Sequence, residues 1–161
     1  MKLNNTHLAQ RYGHISDNRL IIIAYSDNEI KQQLIDIFQS ENTVTVLDEE
    51  DLSKPKHRDS IYLIKDLNFV RNKTNSKFEF FRYFFDLRIL ASEKGNGFIV
   101  LEKVRSLKDV EKGSLEDYLA TCHATVDFAC KGANGSINLH CTQFGDDPFD
   151  IDDLNITGLT K

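Results

Sequence analysis

Five side chains in this sequence could ligate a soft metal: Cys122, His123, Cys130, His140 and Cys141. Zinc takes thiolate and imidazole, but a closed site needs Cys-x₂-Cys or His-x₃-His knuckles, and none of these pairs has that spacing. His140 and Cys141 are adjacent, so on a strand they would point to opposite faces and could not chelate together. Buried cysteines with a surface histidine fit the pattern better. No order of Ser, His and Asp, or of Cys and His, marks a nucleophilic site, and His7 and His14 lie in a polar stretch where both would be solvated. Three other groups remain. Asp66 closes an apolar run, Ile61-Tyr62-Leu63-Ile64. Basic residues on two loops, Lys54, Lys56 and Arg58 before that run and Arg71, Lys73 and Lys77 after it, would present positive charge to a nucleic acid or be ordinary solvated charges. Near the carboxyl terminus Phe149, Ile151 and Leu154 alternate with aspartates, as in a plain disordered end or one that docks on a partner.

The elements that must position these groups read as an α/β domain with a mostly parallel sheet. Residues 61–64 form a short β-branched and aromatic run of the kind that fits a strand covered on both faces, with Asp66 at its carboxyl end. After a polar loop at 71–75, Ser76 with Glu79 three residues later makes a capping-box pattern, and a helix over 77–94 runs to Gly95, which can take the left-handed conformation beyond a helix end. Residues 97–101 are a second buried strand. Two buried strands joined by a helix make a right-handed parallel crossover. Upstream, residues 19–25 are the strongest strand signal and belong at the centre of the sheet. Asp27 or Asn28 caps a helix over 29–39, and 44–47 is a third strand. Downstream, 115–123 suits a short helix, and 125–130 with 136–142 reads as a hairpin around Asn134-Gly135. Residues 1–18 are expected to be a flexible arm, 19–144 the domain, and 145–161 an acidic disordered tail.

At 161 residues the chain suits one domain with a core large enough to fold without metals or disulfides. No apolar run approaches the ~20 residues that span a bilayer, so no membrane contact is expected. An N-terminus with no apolar segment and an odd count of three cysteines point to an intracellular protein, nuclear if the source is eukaryotic. The formal net charge of −5 opposes nucleic acid at long range, so any contact with it would need a local basic patch or a basic partner.

In element order the chain resembles the truncated core of the RecA-like ATPases, and among them the recombinase paralogues that mediate homologous recombination. The likeness covers roughly residues 19–144. Residues 87–100, with the run Leu87-Arg88-Ile89-Leu90-Ala91-Ser92-Glu93-Lys94-Gly95-Asn96-Gly97-Phe98-Ile99-Val100, look like the helix-to-strand passage after that family's Walker B strand, and 124–128 with the hairpin resemble its last strands. The resemblance puts Asp66 at the Walker B position, which holds magnesium through water. The plainer role for Asp66 is to cap or turn the chain. A P-loop needs Gly-x-x-x-x-Gly-Lys-[Ser/Thr], because glycines let backbone amides wrap a phosphate while lysine neutralises it, and no such stretch occurs. Nor does the arm before Leu20 offer a counterpart to the family's first strand.

What the resemblance implies is a subunit without catalysis or a cofactor of its own. It would pair with a RecA-like paralogue carrying a P-loop, share ATP and magnesium at most across that interface, and modulate a recombinase filament on single-stranded DNA in DNA repair. The helix over 77–94 carries more aromatic surface than one sheet face requires, so Phe80, Tyr83 and Phe84, with Phe149 and Ile151 of the tail, are the candidate partner anchors unless the surplus is a thick core. Lys54, Lys56, Arg58, Arg71 and Lys73 are the candidate DNA contacts. An alternative is a receiver-like or RecA-like adaptor for cell division or secretion, in which Ser26-Asp27-Asn28, Asp66 and Lys131 loosely resemble a phosphoacceptor set.

Overall fold

The computed structural model describes residues 12, 20–52, 60–105, 125–132, 136–142 and 154–156. Within them the chain runs β1 (Leu20–Tyr25), α1 (Asn28–Gln39), β2 (Val44–Leu47), β3 (Ile61–Ile64), α2 (Leu67–Lys73), α3 (Lys77–Lys94), β4 (Gly97–Lys103), β5 (Thr125–Lys131), β6 (Ile137–Thr142) and β7 (Leu154–Ile156). The strands form one sheet in the order β2-β3-β4-β1-β5-β6-β7. The first five of that order are parallel, and β6 and β7 join antiparallel at one side.

Every residue of β1 is buried, as its unbroken apolar run requires of a strand that is central and covered on both faces. Alternation along it divides the core in two. Leu20, Ile22 and Ala24 join Tyr62, Ile64, Phe98, Val100, Val126 and Phe128 on the face covered by α2 and α3. Ile21, Ile23 and Tyr25 join Ile61, Leu63, Ile99, Leu101 and Ala129 under α1. The result is helix, sheet, helix. Ile30, Leu34, Ile35, Ile37 and Phe38 give α1 the single apolar stripe that such a layer needs, and each aromatic or aliphatic side chain buried in this way contributes roughly 1.5–3 kcal/mol.

Local chemistry sets the element ends. Asp27 caps α1, its carboxylate accepting from the Glu29 amide at 2.9 Å. Ser76 Oγ accepts from the Glu79 amide at 3.1 Å, while the Glu79 carboxylate reaches back to the Asn75 amide at 2.7 Å, so the capping pair forms with its return bond one residue earlier than the motif predicts. Gly95, at φ 68°, ends α3 in the left-handed conformation that glycine tolerates.

One sequence expectation needs amending, and two observations fall in the terminal stretches. The stretch after Asp66 is not simply loop, because Leu67–Lys73 form a helix whose Leu67 and Val70 are buried. In the stretch expected to be a flexible arm, Tyr12 is 2% exposed, its ring 6.0 Å from that of Phe38 and its hydroxyl donating to Asp127 Oδ2 at 2.7 Å. In the tail, Leu154–Ile156 pair with β6. The helix expected over 115–123 lies outside the described residues.

Candidate site at the carboxyl edge of the sheet

Parallel strands that all point one way collect their carboxyl ends, and the loops that follow them, along one edge, where open α/β sheets bind ligands. Here that edge carries Asp27 after β1, Asp66 after β3, Glu102 near the end of β4 and Lys131 at the end of β5.

Asp66 is held at both oxygens. Oδ1 accepts from the Asn68 amide at 2.9 Å and so caps α2, and Oδ2 lies 3.0 Å from Lys31 Nζ, projected from the first turns of α1. Lys31 and Asp66 are 29% and 24% exposed, so the pair is only partly screened by water. A magnesium ion at this carboxylate would have to displace an ammonium group already there.

Between β1 and α1 there are two residues, Ser26 and Asp27. A connection of that length, without glycine, cannot wrap a phosphate, and the helix start beyond it is occupied. The Asp27 carboxylate accepts at the cap, Glu29 follows in the first turn, and Lys131 Nζ lies 3.0 Å from Asp27 Oδ2 and 2.7 Å from Glu29 Oε2. The Glu29 amide first, and Lys131 second, hold the Asp27 carboxyl below its ordinary value, while Glu29 and then Asp27 hold the Lys131 ammonium above its own. The partial positive charge that a helix start would lend to an anionic ligand is therefore spent on carboxylates of the chain itself.

Glu102 is the most enclosed acid of this edge. Arg71, from α2, grips it with two hydrogen bonds of 2.7 and 3.2 Å, and Glu102 is 8% exposed. Burial pushes its carboxyl above the usual range, with Arg71 pulling the other way. Beneath the cluster, burial and then the charges of Asp66 and Glu102 push the Tyr25 phenol up to about 12, so it stays protonated at any ordinary pH. Lys65 pairs with Asp48 at 2.7 Å beyond β2 and β3. Among the described residues the edge is thus a set of closed ion pairs, whose chemistry is mutual neutralisation and fixing of loops.

The candidate DNA contacts are split by this arrangement. Arg71 is committed to Glu102 and to Asn68 Oδ1 at 2.8 Å, and lies over the Phe80 ring at 5.9 Å, so it does not stand free for phosphate. Lys73 is exposed at the end of α2. Lys54, Lys56 and Arg58 lie outside the described residues. The candidate partner anchors are corrected by burial: Phe80 is 4% and Phe84 2% exposed, both in the core against β3 and β4, and Tyr83 is half-buried with its hydroxyl donating to the Leu52 carbonyl at 3.0 Å. Among the described side chains of α3, Phe78, Phe85 and Ile89 are the exposed apolar ones instead. Phe149 and Ile151 lie outside the described residues.

A phosphoacceptor set and a metal site are not assembled among the described residues. Lys131 pairs with Asp27 and Glu29 and Asp66 pairs with Lys31, and β4 separates β1 from β3, whereas a receiver sheet runs 2-1-3-4-5. Of the five metal-ligating candidates Cys130 alone has a described side chain, which is half-buried, and among the described residues no three His, Cys, Asp or Glu side chains gather as a metal site. Also among the described residues, no helix is long and apolar enough to cross a membrane.

Sequence reasoning missed Lys31 and Glu102. Lys31 sits 35 residues from Asp66, and nothing local marks it. Glu102, a charge closing the apolar run of β4, could have been singled out as an acid placed where only a partner would let it stay. No protein-family model matches the sequence, and no curated protein is recognisably similar to it.

Proposed function

We propose that this chain is a RecA-like subunit of the recombinase-paralogue kind, without catalysis of its own, that pairs with a P-loop-bearing RecA-like protein and modulates a recombinase filament on single-stranded DNA. Read from β5, the parallel strands run 5-1-4-3-2, the wiring such a core would have, with β1 in the place of its phosphate-loop strand and Asp66 following its Walker B strand. On this reading the family's first strand does not lie before Leu20. It is β1 itself, and what the chain has lost is the loop after it.

The observation that carries the non-catalytic part is the two-residue Ser26–Asp27 connection, closed by carboxylates and Lys131. A scaffold of this shape with no phosphate cradle acts through what it binds, and a partner would bring the nucleotide. The charged carboxyl edge, with Asp66, is the surface offered to that junction.

The test is affinity capture of the tagged full chain from its native cell, with the bound subunit identified by mass spectrometry, followed by reconstitution of the purified pair and measurement of recombinase filament stability on single-stranded DNA. Stoichiometric recovery of a P-loop RecA-like protein, and a changed filament lifetime when the pair is added, are expected. A monodisperse monomer with no affinity for any such protein would overturn the proposal, as would triphosphate bound tightly by the isolated chain.

A further inference from the structure

Helix α3 has two apolar faces on opposite sides. Phe80, Phe84 and Leu87 are 4%, 2% and 4% exposed and fill the core, whereas Phe78, Phe85 and Ile89 are 72%, 50% and 44% exposed. At about 100° per residue the exposed three fall within roughly 40° of arc, diametrically across from the buried three, and at about 1.5 Å per residue they extend for about 17 Å. Their spacing of seven and then four is the seam spacing of one helix packed on another. Along one flank run Glu79, Asp86 and Glu93, seven residues apart and all exposed, with Arg82 between that column and the seam. Three carboxylates face one guanidinium, so the flank is acidic.

We propose that the outer face of α3 docks an amphipathic helix of a partner protein, one whose apolar edge is bordered by lysine or arginine. A helix fits because the seam is straight, narrow and convex, and charge complementarity selects its flank. A second copy of this chain suits it less well. Packed antiparallel, two α3 helices would set acidic column beside acidic column, and packed parallel they would set Arg82 against Arg82. The acidic flank likewise turns away nucleic acid and anionic lipid. The inference does not rest on the recombination reading, since the face belongs to α3 whatever occupies the carboxyl edge. Three anchors cover less than the roughly 800 Å² per partner of a standard interface, so micromolar binding is expected.

The test uses the full chain and two labelled synthetic helices of the same length as α3, both with leucine at the seam positions, one flanked by lysine and the other by glutamate, read by fluorescence anisotropy. The lysine-flanked helix should bind at least about tenfold more tightly. Phe85→Glu should abolish that binding even though it adds negative charge, which separates an apolar anchor from a diffuse electrostatic attraction. The double variant Asp86→Lys/Glu93→Lys should reverse the preference toward the glutamate-flanked helix. Equal binding of both helices, or binding untouched by Phe85→Glu in a variant whose circular dichroism matches wild type, would overturn the proposal. So would sedimentation showing that the wild type self-associates in a manner lost with Phe85→Glu, which would assign the face to a second copy.

Discussion

Lys31 Nζ stands 3.0 Å from one oxygen of Asp66 while the Asn68 amide donates to the other at 2.9 Å, so a single carboxylate holds α1 and starts α2. Both of its obvious ligand-binding positions are filled from within the chain. Magnesium–ATP is therefore expected to leave the melting temperature of the isolated protein unchanged, although a nucleotide at 100 times its Kd would stabilise by about 2.7 kcal/mol. The two functions of Asp66 can be separated in urea melts. Asp66→Asn keeps a capping oxygen and loses only the partly exposed ion pair, for about 0–1 kcal/mol. Asp66→Ala loses the cap as well, which adds about 1 kcal/mol. Equal losses in the two variants would show that the cap contributes nothing.

How much of this could be read beforehand depended on how local the cause was. Residues 61–64 and 97–101 announce themselves as buried strands because β-branched and aromatic residues run without a break, and Asp66 falls at a strand end for the same reason. The capping role of Asp66 is legible too, whereas the helix it caps is faint, because Leu67 and Val70 at i and i+3 start an apolar face in only seven residues that include two asparagines. The Lys31–Asp66 and Arg71–Glu102 pairs could not, because each joins residues over thirty apart in sequence through the sheet order. In α3 the abundance of apolar residues concealed which face was core. By composition alone Phe80 and Phe84 stand out as anchors, and only a helical wheel sets Phe78, Phe85 and Ile89 opposite them.

Tyr12 ties a segment before the sheet to its interior. Its ring packs against Phe38 of α1 and its hydroxyl donates to Asp127, a 3% exposed aspartate on β5. Tyr12→Phe removes that one donor to a buried carboxylate and should cost about 1–3 kcal/mol. Tyr12→Ala also removes the ring and should cost about 3–5 kcal/mol. Chemical denaturation gives both numbers, and a Tyr12→Ala protein as stable as wild type would show that the Tyr12 side chain is not part of the folded core.

Glu102 predicts a pH dependence of a definite sign. Burial raises its folded-state value above the ordinary 4.5, against the pull of Arg71, so between the unfolded and folded values the native protein binds more protons than the unfolded chain. Stability from this group therefore increases as pH falls from neutral through the raised value, and levels off below about 4.5 where both states are protonated. Glu102→Gln cannot titrate. The difference in unfolding free energy, wild type minus Glu102→Gln, should move in favour of the wild type on acidification across that window. A difference independent of pH would mean that Arg71 balances burial, and one moving the other way that Arg71 outweighs it.

The two apolar faces of α3 predict opposite results from the same chemical change. Phe84 is enclosed by Phe80, Tyr83 and the sheet, its ring 5.0 Å from that of Phe80 and 5.5 Å from that of Tyr83, both edge-on. Phe84→Ala opens a cavity there and should cost about 3–5 kcal/mol in urea unfolding. Phe78 and Phe85 keep most or half of their surface in water, so Phe78→Ala and Phe85→Ala remove little buried area and should fall within about 0.5 kcal/mol of wild type. Such near-neutrality would mean that folding does not account for large aromatics at these two positions. A loss of several kcal/mol from Phe78→Ala or Phe85→Ala would instead place those rings in the fold and remove the outer face of α3 as a free surface.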